Sequence, residues 1–174
     1  MHITNSTIND IDEIFSLYRI ATEYQKTKHS VLWPEFERTL VEQEIKEKRQ
    51  WKIIVDNTMT CVFATTYSDP LIWEEKDQQP SVYIHRIATN PHYRGKNFVT
   101  HIVDWAKLYA KENDKKFIRL DTVGENKGLI KHYQSCGFNF LGVFKLANTD
   151  GLPQHYHNAS VSLFEISLHA ENEN

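Results

Sequence analysis

The stretch Ile84-His85-Arg86-Ile87-Ala88-Thr89-Asn90-Pro91-His92-Tyr93-Arg94-Gly95-Lys96-Asn97-Phe98 decides the fold. Its apolar and β-branched opening predicts the end of a long strand, 82–89. Asn90-Pro91 then breaks the extended pattern. From Phe98 the period changes: Phe98, Ile102, Trp105, Ala106 and Tyr109 recur at helical spacing and predict an amphipathic helix over 98–112. A strand therefore runs through one short loop into a helix. Unpaired backbone N–H groups at a helix start favour an anion. Arg94 and Lys96 flank Gly95, which has no Cβ to keep a ligand from the backbone. From these residues alone two readings stand: an anion cradle suited to a pyrophosphate, or an ordinary strand-to-helix turn with surface cations.

On the N-terminal side the sequence predicts a strand at 1–5 and a helix from about Asp10. Ile8, Ile11, Ile14, Phe15 and Tyr18 share one face of that helix. Pro34 predicts a second helix start, with Phe36, Leu40, Val41 and Ile45 inward and the charged run Glu44 to Arg49 as a solvated face. Strands at 51–55 and 60–67 flank the turn Asp56-Asn57-Thr58. A loop containing Pro70 and Pro80 precedes the strand at 82–89. On the C-terminal side come a strand at 117–123, a helix at 127–135 stopped by Gly137, and strands at 138–146 and 160–168. Leading antiparallel pairs followed by β-α-β crossovers imply an α/β (α+β) domain with a mixed sheet.

The 174 residues suit a single domain over 1–170, with the polar tail 171–174 disordered. Apolar residues make up 40 % and charged residues 25 %, enough for one packed core. A net charge of −3 argues against a nucleic-acid partner. The first residues lack the basic flank and apolar run of a secretory signal. No stretch approaches the roughly 20 apolar residues of a membrane span. Cys61 and Cys136 are too few for a disulfide framework or a four-cysteine zinc site. The expectation is a soluble, cytoplasmic protein without membrane contact.

The segment 84–96 resembles the acetyl-CoA-binding core of the GNAT N-acetyltransferase superfamily. That core has a strand, an Arg/Gln-x-x-Gly-x-Gly/Ala loop, a long helix, another strand, and a helix that carries Tyr and ends in Gly-Phe. Asn126 and Tyr133-Gln-Ser-Cys-Gly137-Phe138 supply the later pieces, so the match covers about 80–142. Where the family places glycine, or glycine and alanine, this chain has Asn97 and Val99. Asn tolerates left-handed backbone angles; Val99 must turn its side chain away from the phosphates.

The resemblance implies a mostly antiparallel sheet of about seven strands, about four flanking helices and a splayed cofactor-binding strand pair. It implies acetyl-CoA as acetyl donor, held by the backbone of Ile87, Ala88 and Thr89, by Arg94, Gly95, Lys96, Asn97, Phe98 and Val99, and by Asn126. No metal is implied. Tyr133 matches the family's general acid beside the sulfur; as a bare residue it reads rather as a core aromatic sharing a face with Leu129 and Ile130. His85 stands where members often carry a Glu base; the other reading is a strand His paired with a neighbour. Arg86 faces the opposite way and reads as structural. The acceptor region would draw on Tyr24, Trp33, Tyr67, Trp73 and Tyr156, with Glu74 and Glu75 nearby, a set suited to a cationic amine. His155 and His157 read as covering a substrate entrance. These features favour an N-acetyltransferase acting as monomer or homodimer on a small-molecule or peptide amine. A non-catalytic acyl-CoA-binding or regulatory domain of the same fold is the alternative.

Overall fold

The computed structural model describes residues 1–28 and 30–168. The tail 171–174 and its expected disorder lie outside these residues. The elements are β1 (His2–Asn5), α1 (Ile11–Thr27), α2 (Arg38–Lys46), β2 (Gln50–Val55), β3 (Thr58–Thr66), α3 (Pro70–Trp73), β4 (Ser81–Thr89), α4 (Phe98–Glu112), β5 (Phe117–Val123), α5 (Lys127–Ser135), β6 (Asn139–Lys145) and β7 (Ser160–Ser167). The strands form one seven-stranded sheet in the order β1-β2-β3-β4-β5-β7-β6. Pairs β1–β2, β2–β3, β5–β7 and β6–β7 are antiparallel. Pair β4–β5 is parallel over Ser81–Tyr83, and α4 supplies the crossover that a parallel pair needs. This is the mixed, mostly antiparallel α/β sheet expected; the extra helix, α3, is a single turn.

By internal contacts the chain divides into two compact units, Met1–Thr65 with His85–Phe98, and Thr66–Ile84 with Val99 onward. In the first unit, Ile11, Ile14, Leu17 and Tyr18 of α1 pack with Phe36, Val41, Met59, Val62 and Ala88. Each buried branched side chain contributes about 1.5–3 kcal/mol. Ile8, expected on this face, is 54 % exposed, because it sits in a 3-10 turn (Ile8–Asp10) that precedes the helix. The helix expected at Pro34 begins four residues later, at Arg38. Trp33 and Phe36 instead pack edge-on against Tyr18, with centroids 6.0 and 5.5 Å away. Leu40, expected inward, is 39 % exposed, whereas Glu44 of the expected solvated run is 3 % exposed. Asp56 and Asn57, with φ of 47° and 62°, make the tight β2–β3 turn.

In the second unit α4 spans the residues expected and buries Val99, Ile102, Val103, Ala106 and Ala110. Trp105 and Tyr109 of the expected stripe are half-buried and stack on each other, centroids 4.7 Å apart. Arg119 of β5 is fully buried. It donates to Glu165 (2.8 Å), to the Lys76 carbonyl (2.7 Å) and to Gln79, and lies 4.8 Å from the Trp73 ring centroid. That arrangement ties the segment after α3 to β5 and β7. Gly137, at φ 100°, ends α5, with the Phe138 amide donating back to the Tyr133 carbonyl.

Candidate functional site

The strand-to-helix loop belongs to the first unit. Asn90 donates its amide to the Thr60 carbonyl (2.8 Å), and its side chain accepts from the His92 amide (3.1 Å). Pro91–Tyr93 form one 3-10 turn, after which Arg94 is extended. Gly95 and Asn97 then take left-handed φ of 79° and 56°, and α4 starts at the next residue, Phe98. A Cβ on Gly95 would meet nothing within 4 Å. Asn97 thus takes the left-handed conformation that asparagine tolerates better than most residues. Val99 is 9 % exposed, its side chain packed inward. Arg94, Lys96 and the turn backbone are exposed.

Upstream, Arg86 has a φ of 50° in the middle of β4. A left-handed non-glycine residue costs about 1–2 kcal/mol and interrupts the alternation of a strand. The side chain of Arg86 shows what compensates: it donates to Glu44 and to the Tyr18 hydroxyl (3.3 Å). It also lies 5.0 Å from the Phe36 centroid. Burial lowers the affinity of Arg86 for its proton, but Tyr18 and Glu44 outweigh this and raise its pKa. Arg86 is therefore the structural residue expected. His85, the residue before it, is half-buried on β4. Ala88 is buried in the first core, and the Thr89 hydroxyl lies 3.6 Å from the Cys61 sulfur. Ile87 and Thr89 are half-buried.

The other candidates fall into separate settings. Asn126 caps α5, accepting from the Leu129 amide (3.1 Å) and keeping its side-chain NH₂ as a donor. Tyr133 is half-buried; its ring packs on Phe164 and Phe138, centroids 5.1 and 6.0 Å away. Tyr67 exchanges a 2.8 Å hydroxyl hydrogen bond with Tyr109. Burial first, and that bond second, raise the pKa of Tyr67. Tyr156 is 9 % exposed and donates to Asp121 of β5 (2.8 Å), a partner that sequence pattern did not signal. Glu74 and Glu75 are exposed.

One of the expected acceptor residues, Trp73, is corrected. Trp73 is 2 % exposed in a core cluster with Tyr83 and Leu163, so it is packing rather than pocket wall. Tyr24 lies under the loop arginine: the Arg94 guanidinium carbon is 4.0 Å from its ring centroid. Trp33 remains at the edge of the aromatic cluster of Tyr18 and Phe36.

The comparisons agree with this architecture. Residues 17–138 match the model of the acetyltransferase (GNAT) family, and the chain belongs to that family. An uncharacterised N-acetyltransferase of Bacillus subtilis, YesJ, is 29 % identical over 103 residues, which are 59 % of this chain and 50 % of that protein. The chain thus spans about half the length of this curated relative. A GNAT acetyltransferase from Listeria monocytogenes superposes with a TM-score of 0.75 at 20 % identity, covering 96 % of this chain and 94 % of the other. A ribosomal-protein-alanine N-acetyltransferase from Brucella melitensis gives a TM-score of 0.69 at 13 % identity, covering 97 % and 100 %. Those two likenesses concern the fold. Among the described residues no helix is long and apolar enough to cross a membrane.

Proposed function

We propose that the protein is an acetyl-CoA-dependent N-acetyltransferase acting on a primary amine of a small molecule, polyamine or peptide. The observation that carries this reading is the Arg94–Asn97 turn, with left-handed Gly95 and Asn97 directly before α4. Such turns aim successive N–H groups at an anion, and the open space over Gly95 leaves that backbone reachable. The residues fit a pyrophosphate. Arg94 and Lys96 supply charge, and the amides from Gly95 to Val99 supply hydrogen bonds. The backbone of Ile87, Ala88 and Thr89 holds the pantetheine arm, and Asn126 donates from its free NH₂. The family match draws on residues of both compact units, so residues 1–170 are taken as one functional domain. It works in the cytoplasm as monomer or homodimer.

When bound, acetyl-CoA supplies an acetyl group activated as a thioester. His85 accepts a proton from the acceptor ammonium, the part of a general base. Backbone N–H groups of β4 stabilise charge on the carbonyl oxygen. Tyr133 would donate its hydroxyl proton to the departing sulfur as the carbon–nitrogen bond replaces the carbon–sulfur bond, and the second proton lost by the acceptor nitrogen would restore the phenol. Transfer is direct. Cys61 is fully buried, and burial pushes its thiol up to about 12, so it offers no thiolate for an acetyl-enzyme.

The second reading, an acyl-CoA-binding domain without turnover, is favoured by Asn97 and Val99 in place of small residues. Thermal shift with acetyl-CoA, followed by thiol release over a panel of amines, separates the two. Stabilisation with turnover on an amine supports the enzyme. Stabilisation without turnover on any amine supports the binding domain, and no stabilisation overturns both.

A further inference from the structure

Tyr24 lies at the C-terminal part of α1 and is 42 % exposed. Its ring holds two cations: the Arg94 guanidinium carbon 4.0 Å from the centroid and the Lys28 nitrogen 5.5 Å away. Arg94 is itself exposed, and among the described residues no carboxylate pairs with it. A long arginine on an exposed loop would ordinarily sample many rotamers. Here a ring fixes it. The choice of partner has a chemical consequence. A carboxylate would occupy the guanidinium N–H donors and cancel the charge, whereas an aromatic ring leaves both available.

The backbone on either side is also constrained. Asn90 is anchored to β3 and caps the turn ahead of Arg94, and the Arg94 amide donates to the Pro91 carbonyl at 3.4 Å. Gly95 and Asn97 occupy the left-handed region just after it. Backbone geometry sets where the Arg94 side chain leaves the loop, and Tyr24 sets where it ends.

Resting on the reading of 94–99 as the phosphate loop, we infer that Tyr24 is a positioning residue for the acetyl donor. It holds Arg94 in place, charged and with its donors free, to meet the donor's phosphates. Tyr24 acts through Arg94 and has no part in choosing the acceptor amine. Lys28, on the same ring, adds positive potential on that side of the loop.

The test is titration calorimetry of acetyl-CoA with the wild-type chain, Tyr24→Phe, Tyr24→Leu, Arg94→Gln and the Tyr24→Leu/Arg94→Gln double variant. A cation–π contact of exposed groups corresponds to about 2–5-fold in affinity. Tyr24→Leu should weaken binding by that factor. Tyr24→Phe, which keeps the ring, should bind as wild type. In the Arg94→Gln background, Tyr24→Leu should cause no further loss, which a merely structural role would not produce. The apparent KM for the acceptor should be the same in the wild type and Tyr24→Leu. Wild-type affinity in Tyr24→Leu, or an equal loss with and without Arg94, overturns the inference while leaving the functional reading intact. Absence of acetyl-CoA binding by the wild-type chain overturns that reading and the inference with it.

Discussion

The Arg86 guanidinium of β4 donates to the Glu44 carboxylate of α2, and both side chains are largely out of solvent, at 14 % and 4 % exposed. Forty-two residues of sequence separate them. Around the pair, the Tyr18 hydroxyl accepts from Arg86 and donates to Gln50 over 3.4 Å, and Phe36 lies against the guanidinium. The network holds an arginine in a left-handed conformation, one residue after His85. Removing one partner of a buried pair leaves an uncompensated charge, which costs about 3–5 kcal/mol. Glu44→Ala should lose that much in urea unfolding. The double variant Glu44→Leu/Arg86→Met should lose clearly less, since it leaves no buried charge alone. Equal losses in the two variants would show that packing, not charge pairing, holds this site.

A second carboxylate in the same unit sets a pH dependence. Asp10 accepts from the Thr7 amide (2.6 Å) and from Lys52 (2.7 Å). Burial raises its pKa, but the hydrogen bonds from Lys52 and Thr7 and the Lys52 charge together hold it below the usual 3.8. A carboxyl depressed in the folded state binds its proton more readily when unfolded. Its stabilisation is therefore fully present above pH 3.8 and is lost as pH falls through the lower folded value. Asp10→Asn should be less stable than wild type at neutral pH, and the gap should close under acid. A gap that stays constant down to pH 2, about two units below the unfolded carboxyl, would remove Asp10 from the acid response.

The 94–99 loop, proposed above to meet the phosphates, gives a prediction in which fold and binding part company. Gly95 sits at φ 79° with open space where a Cβ would be. Gly95→Val therefore meets no clash, and its cost is conformational, about 1–2 kcal/mol. Acetyl-CoA affinity should fall in this variant as the turn relaxes and its N–H groups lose their common aim. Lys96→Glu should weaken binding with little loss of stability, because Lys96 is exposed. Full affinity in both variants by calorimetry would move the phosphates away from this loop.

Helices with strong periodicity were legible in the sequence: α4 and α5 occupy the residues expected, since each repeats its apolar positions and α5 meets Gly137. The start of α2 was not. Proline suits a first helical turn, but Trp33 and Phe36 gain more by packing on Tyr18 in an extended segment, so the helix waits until Arg38. Glu44 and Arg119 were missed for one reason. Charged residues read as solvated unless their partners are known, and these partners, Arg86 and Glu165, lie 42 and 46 residues away. The left-handed turn at Asn97 was legible because it depends on one residue's own backbone preference. Composition says that Trp73 and Tyr24 are aromatic, but not that one lies in a core cluster and the other against the Arg94 guanidinium.

The hydroxyl of Tyr133 carries the sharpest prediction about chemistry. Its ring is held by Phe164 and Phe138 at 5.1 and 6.0 Å, contacts that phenylalanine reproduces. Tyr133→Phe therefore removes a proton donor while leaving the packing in place. A phenol hydroxyl can serve as the proton donor for a departing thiolate. General acid catalysis is worth about 10²–10⁴-fold, so kcat should drop by that order. Acetyl-CoA affinity and the urea midpoint should stay near wild type. The three readouts divide the possibilities. A lower kcat with intact folding and binding places the hydroxyl in the reaction. Unchanged kcat makes Tyr133 a packing aromatic. A stability loss of about 1–3 kcal/mol would assign the hydroxyl to a buried structural hydrogen bond, because only a buried partner left unsatisfied gives so large a cost for one oxygen atom.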